Sequence, residues 1–271
     1  MSYRYKDLNR EFLKMLKREI GRRHVIDLLV ILLVSLVIPL TALADGILIF
    51  GGTGQLGAPH VRMLVDQGER VTVFHRATSS FERLEGVDFQ RVEGDLMDAS
   101  SVLAAMEKIQ PEVVIDASAR RGNRMREQQA FYAIAMQNIV AAAQVTGVEQ
   151  IILHGSIGVR GSADYLEKTY GYNTDSPNML DKAEAERVLE NSGVNYTIVR
   201  NGLLEFEPVE PTGGGELLQD ENTFGRITRT DLARLTVGCV NNDDCYGTIF
   251  HAIDAGLVGP RPAREAARPN Q

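Results

Sequence analysis

Beyond residue 45 the chain alternates between short, nearly continuous apolar runs and longer segments whose apolar residues recur every three or four positions. The short runs Gly46–Phe50, Val71–Phe74, Val87–Val92, Glu112–Ile115, Gln150–Leu153 and Asn195–Val199 predict strands. The periodic segments Gln55–Gln67, Ser100–Ile109, Arg126–Val145 and Asp181–Asn191 predict helices. Val61, Leu64 and Val65 share one face of the first helix, and Val102, Leu103, Met106 and Ile109 one face of the second. Strands that alternate with such helices build βαβ units, and Val/Ile-rich strands without a polar face belong in a parallel sheet covered on both sides. The expected fold is therefore α/β, a doubly wound parallel sheet. Residues 205–258 break the alternation with Gly213-Gly214-Gly215, a helical pattern over Thr230–Val240 and a strand-like Gly247–Ala252. They predict a small C-terminal cap at the sheet edge that carries substrate contacts. Residues 259–271, polar and rich in Pro and Arg, predict a disordered tail.

A different pattern precedes the sheet. Residues 25–44 are apolar except at Asp27, Ser35, Pro39 and Thr41 and show no polar stripe, which is the length and character of a membrane-spanning helix. Two readings fit residues 1–44. The run ends Ala42-Leu43-Ala44, a small-x-small site that suits a cleaved export signal, or it stays as a single-pass anchor that holds the protein at a membrane. Residues 1–44 hold eight Lys or Arg against four acids, so the remaining chain carries an excess of eleven acids within the net charge of −7. Positive flanks stay in the cytoplasm, and both readings place the acidic body outside it. Arg22-Arg23 before the run also fit a twin-arginine signal, which exports folded proteins. Cys239 and Cys245, the only cysteines, lie close together in a chain expected to be exported, where a disulfide forms readily. An acidic body without Trp excludes nucleic acid as the main partner and leaves a small-molecule substrate.

The first strand runs directly into Gly51-Gly52-Thr53-Gly54-Gln55-Leu56-Gly57, and a helix opens there. Glycines in this strand–turn–helix context permit positive φ, let a pyrophosphate approach the backbone and seat the helix against the strand. The helix N-terminus then faces the phosphates with unpaired N–H groups. The second strand ends Phe74-His75-Arg76, with no acid to hold a free ribose 2′-hydroxyl. Arg76, followed by Thr78, Ser79 and Ser80, suits the 2′-phosphate of NADP, with NAD as the alternative.

With GGTGQLG (51–57), Arg76, GDLMD (94–98), VIDASA (114–119), HGSIG (154–158), DKAEAERVLENSGVNYTIVRNG (181–202) and RITRTDLAR (226–234), residues 45–250 resemble the atypical branch of the short-chain dehydrogenase/reductase superfamily, close to NmrA-like NAD(P)H-binding proteins. The resemblance implies that Asp95 and Leu96 lie beside the adenine and that Ala117 and Ser118 line the nicotinamide-side ribose. It places Ser156 and Lys182 at the serine and lysine of reductase chemistry, Lys182 also holding the ribose. The tyrosine that such chemistry uses as proton donor stands four residues before the lysine, and here that position is Asn178, whose amide has no tunable proton. Tyr165, Tyr170 and Tyr172, in the loop that precedes it, are the substitutes within reach of the chain.

Three functions follow in order. The first is an NADP-dependent oxidoreductase that delivers hydride to a small carbonyl, quinone-like or flavin-like acceptor. The second is a non-catalytic NAD(P)-binding sensor or assembly factor, favoured by Asn178. The third is a nucleotide-sugar epimerase or dehydratase, for which the C-terminal region is short. Arg120-Arg121-Gly122-Asn123-Arg124, beyond the fourth strand, forms a basic loop at the rim where ligands bind such sheets. The five histidines have no metal-ligand spacing, and no metal site is expected.

Overall fold

The computed structural model describes residues 46–120, 130–205 and 210–259. The segments expected to direct export or anchor the chain, with Arg22-Arg23, lie outside these residues, as do the predicted tail beyond residue 259 and Arg121–Arg124 of the basic loop. Among the described residues no helix is long and apolar enough to cross a membrane.

The apolar runs form the strands β1 (Ile47–Phe50), β2 (Val71–His75), β3 (Gln90–Glu93), β4 (Val113–Asp116), β5 (Gln150–Ser156) and β6 (Asn195–Asn201). They lie in the order 3-2-1-4-5-6, all parallel, as in a doubly wound dinucleotide-binding sheet. Strands β7 (Leu203–Leu204), β8 (Gly215–Leu218) and β9 (Arg226–Ile227) are short additions, and β10 (Thr248–Asp254) pairs parallel to β6. The C-terminal region thus extends the sheet through β10, while β8 and β9 pair antiparallel to that strand.

Helices α1 (Gly57–Asp66), α2 (Ala99–Ile109), α3 (Tyr132–Thr146), α4 (Ala163–Tyr170), α5 (Pro177–Glu190) and α6 (Arg229–Val237) connect the strands. One core layer joins Leu48, Phe50 and Val114 to residues of α2, α3 and α5 such as Met106, Met136 and Leu189. The other joins Ile49, Val73 and Ile115 to Val61 and Leu64 of α1 and Leu232 of α6. Strand residues pointing both ways are fully buried, which is why they read as uninterrupted apolar runs.

Several boundaries differ from expectation, each for a visible reason. The third strand starts at Gln90, not Val87, because Gly86 takes φ +76° and the Val87 N–H bonds the Leu84 carbonyl in a turn. The third helix starts at Tyr132, not Arg126, where the Asp181 carboxylate accepts the N–H groups of Phe131, Tyr132 and Ala133 at 2.7, 3.0 and 3.0 Å. Residues 163–170 are helix rather than loop; α4 is only eight residues long and buries only Leu166, so its stripe is too short to stand out in the sequence. The fifth helix begins at Pro177, four residues early, with Ser176 as its cap.

Candidate active site

All six core strands point their carboxyl ends to one edge, and two cavities open there. The first encloses about 620 Å3 of partly solvent-open space beyond β1, β2 and β4. The expected Gly51, Thr53, Arg76, Asp95, Leu96 and Ser118 line it, together with Phe50, His75, Ser79, Ala119, Arg120 and Phe131. Gly51 takes φ +74°, and a Cβ there would stand 2.6 Å from the Ala117 carbonyl oxygen. A Cβ on Gly57 would collide with the Gly51 carbonyl, so this glycine lets α1 seat directly on the turn. Gly54 closes the turn by donating its N–H to the Gly51 carbonyl at 2.9 Å. Gln55 follows, and Leu56 occupies the N-cap position of α1 without any side-chain cap; no acid stands in the first turn. That helix end keeps its positive potential and donor groups for an anion.

Around this turn the predicted residues fall into place. Buried Ala117 donates its N–H to the Phe50 carbonyl at 3.0 Å and forms the floor against Gly51. Among the described residues the buried Ser118 hydroxyl has no hydrogen-bond partner of good geometry, which leaves it to a ligand. Asp95 accepts the Met97 N–H at 3.0 Å, a turn role that coexists with its place on the cavity wall. The exposed Arg76 anchors its N–H on the Ser79 hydroxyl at 3.1 Å, and among the described residues its guanidinium has no ion-pair partner. A glycine cradle, an uncapped helix end, an orphaned hydroxyl and a spare guanidinium fit a phosphorylated dinucleotide.

The second cavity encloses about 440 Å3 of partly solvent-open space beyond β5 and β6. Ser156 lines it, donating its hydroxyl to the Ile157 carbonyl over a long 3.3 Å, and so does Tyr172. Lys182 lines neither cavity. Its ammonium stands 5.3 Å from the centre of the Tyr132 ring, and burial pulls its pKa below the ordinary lysine range while Glu186 opposes. No hydrogen bond joins Lys182 to Ser156 among the described residues. Asn178 sits exposed in the first turn of α5 and enters neither cavity.

Other groups at this edge escaped the sequence reading. Asp116 ends β4 almost fully buried, accepts the Ser118 N–H at 2.9 Å, and is pushed by burial up to about 6. His60 donates Nδ1–H to the Leu56 carbonyl at 2.8 Å, which leaves its Nε2 to accept from His154 at 2.9 Å. The pair ties the phosphate-binding turn to β5 two residues before Ser156. Asp116 lies inside a quoted motif, VIDASA, and a lone carboxylate ending a fully apolar strand is the signal that marks it. No sequence signal joins His60 to His154, ninety-four residues apart.

Comparison with known proteins agrees with this geometry. An uncharacterized chloroplastic protein of Arabidopsis thaliana is 30% identical over 70% of each chain. The Photosystem II assembly factor Ycf39 of Synechocystis is 26% identical over 79% of this chain, which spans 64% of that protein's length. A wide-type short-chain dehydrogenase/reductase of Veillonella parvula, solved in complex with NADP, superposes with a TM-score of 0.64 at 19% identity, covering 80% of this chain and 98% of that one. The sequence pattern of the NAD(P)H-binding family matches residues 51–243, which include nearly all the residues that line the two cavities; the chain belongs to that family.

Proposed function

We propose that the protein is an NADP-dependent oxidoreductase that reduces a small carbonyl, quinone-like or flavin-like acceptor. The observation that carries this reading is the pair of cavities on one sheet edge, one built for a dinucleotide and the other lined by Ser156. The bound cofactor supplies a hydride. The turn Gly51–Gly57 and the α1 N-terminus hold its phosphates, and Ser118 offers a ribose hydroxyl a hydrogen bond. Lys182, which lines neither cavity as it stands, reaches the same ribose only by turning its ammonium away from the Tyr132 ring. Arg76 and Ser79 favour a 2′-phosphate, and the NADP complex of the Veillonella protein supports that choice.

Titration of NADPH and NADH, followed by a turnover screen over carbonyls, quinones and flavins, tests the reading. In Arg76→Ala the preference for NADPH is expected to fall by about tenfold to a hundredfold, the worth of a charge-assisted hydrogen bond to phosphate. Unchanged preference refutes the role of Arg76, and saturating cofactor without oxidation by any acceptor refutes the oxidoreductase. A non-catalytic NAD(P)-binding assembly factor is the second reading, favoured by Asn178 and by the likeness to an assembly factor.

We propose further that residues 25–44 take the body across a membrane or tether it there, and the Cys239–Cys245 disulfide supports an oxidising compartment. N-terminal sequencing decides the form. Asp45 as first residue means a cleaved signal, an intact N-terminus with membrane association means an anchor, and a protein found only in the cytosol sinks both. Normal export after exchange of Arg22-Arg23 for two lysines sinks the twin-arginine route.

A further inference from the structure

The two cavities at the carboxyl edge differ in charge. His75, Arg76, Asp95 and Arg120 surround the first. Among the described residues, those that line the second include no Asp, Glu, Lys, Arg or His. Leu166, Met179 and Phe224 supply its apolar walls, and Ser156, Asn201 and Tyr172 supply polar groups. An ionised ligand entering here gives up part of its hydration and meets no counter-charge from the described lining, which disfavours it. An uncharged, largely apolar body with a hydrogen-bonding oxygen suits such a lining.

The three tyrosines ahead of Lys182 are placed differently. Tyr165 and Tyr170 lie on α4 and pack on each other with ring centres 5.7 Å apart. Tyr172 is the one that reaches the cavity, with its ring held edge to face against Phe224 at 5.3 Å. It is 40% exposed, so it borders both the cavity and water, and no hydrogen bond among the described residues occupies its hydroxyl.

Resting on the oxidoreductase reading above, we propose that this cavity receives an uncharged carbonyl compound and that Tyr172 donates the proton that Asn178 lacks. The carbonyl carbon gains a hydride from the reduced nicotinamide, forming a C–H bond as the C=O π pair moves to oxygen. That oxygen takes the Tyr172 proton as the phenolic O–H bond breaks, and water reprotonates the phenolate from the exposed side. The carbonyl is reduced to an alcohol and the nicotinamide is oxidised by two electrons. Ser156, held only by its long bond to Ile157, turns its hydroxyl to the same oxygen.

A matched pair of aldehydes tests this on the full chain, 4-nitrobenzaldehyde being uncharged and 4-carboxybenzaldehyde carrying a carboxylate. In amide-detected NMR the uncharged probe is expected to shift Ser156, Tyr172 and Phe224 in the cofactor-free protein, and the carboxylate to leave them in place. Tyr172→Phe is expected to keep those shifts but lose about a hundredfold in kcat with NADPH and 4-nitrobenzaldehyde, the usual contribution of one general acid. Tyr165→Phe retains the wild-type rate. Equal shifts by both probes, or shifts confined to other residues, overturn the uncharged site. A Tyr172→Phe enzyme at the wild-type rate, or NADPH oxidation by quinones or flavins but never by this aldehyde, overturns the proton donor. Clustered shifts in a protein that oxidises NADPH with no acceptor keep the binding site and sink the oxidoreductase reading together with the donor.

Discussion

Among the described residues Arg200 is the largest fully buried side chain, and its guanidinium meets the Glu186 carboxylate through two bonds of 3.0 and 2.7 Å. Both residues are essentially inaccessible, and Gly155 makes room for them, since a Cβ there would come within 2.8 Å of Glu186 Oε1. A buried pair of this kind contributes little net stability, but breaking it leaves the buried Arg200 to the exposed Glu221 carboxylate 3.8 Å away, a weaker and wetter partner. Glu186→Gln is expected to lower unfolding stability by about 3 kcal/mol in urea denaturation, whereas Glu186→Leu with Arg200→Met recovers most of it. A single variant as stable as wild type would show that water reaches Arg200. The pair was hidden in the sequence because Arg200 reads as the polar end of an apolar strand. That is why the sixth strand was expected to stop at Val199 and in fact continues to Asn201.

At the scale of elements, the N-terminus of α3 is capped from another helix. Asp181 lies in α5 and accepts three N–H groups of the α3 start, while Arg120 stands 3.9 Å from its carboxylate. Asp181→Ala is expected to destabilise by about 2 kcal/mol, at the upper end for a capping residue because three donors lose their partner. An unchanged denaturation midpoint would contradict the cap. The His60–His154 pair joins α1 to β5, and Thr236 of α6 approaches His154 at 3.4 Å. Burial depresses His60 to about 4 and, with His60 nearby, holds His154 well below the ordinary range. The unfolded chain therefore takes up these protons first as pH falls, so this contribution is full above pH 6.5 and is lost toward pH 4. Asp116 acts oppositely: burial raises it to about 6, so its neutral form favours the folded state as acid is added. The His60 term is isolated by comparison, wild type losing about 2 kcal/mol more than His60→Gln between pH 7 and pH 5. Parallel pH profiles for the two proteins would refute it. The helices were legible wherever an apolar stripe existed, as in α1 and α2. Their starts depended on caps from distant residues, which periodicity cannot show.

For the whole molecule, the disulfide and the cavities sit at opposite edges of the sheet. Cys239 and Cys245 are bonded with Cα atoms 5.6 Å apart, and their loop is fastened to the amino ends of β5 and β6. Gln150 donates to the Cys239 carbonyl at 2.8 Å and Thr197 to the Cys245 carbonyl at 2.9 Å. Reduction, or replacement of both cysteines by serine, is expected to cost about 2 kcal/mol for so short a loop. NADPH affinity should not change, because the bond is remote from the dinucleotide cavity; a large loss of affinity would contradict that separation. The sequence by itself determined the parallel sheet, the glycine turn and the dinucleotide cavity, because each rests on local rules: apolar runs for doubly buried strands, glycine for a turn that no Cβ can enter. Only the tertiary structure decided where charge is tolerated inside and what surrounds the second cavity. Glu186 and Arg200, His60 and His154, and Asp181 and the α3 N-terminus all meet across the fold, and Tyr172 and Ser156 come to line one cavity. The stability or use of each depends on a partner that no pattern along the chain specifies.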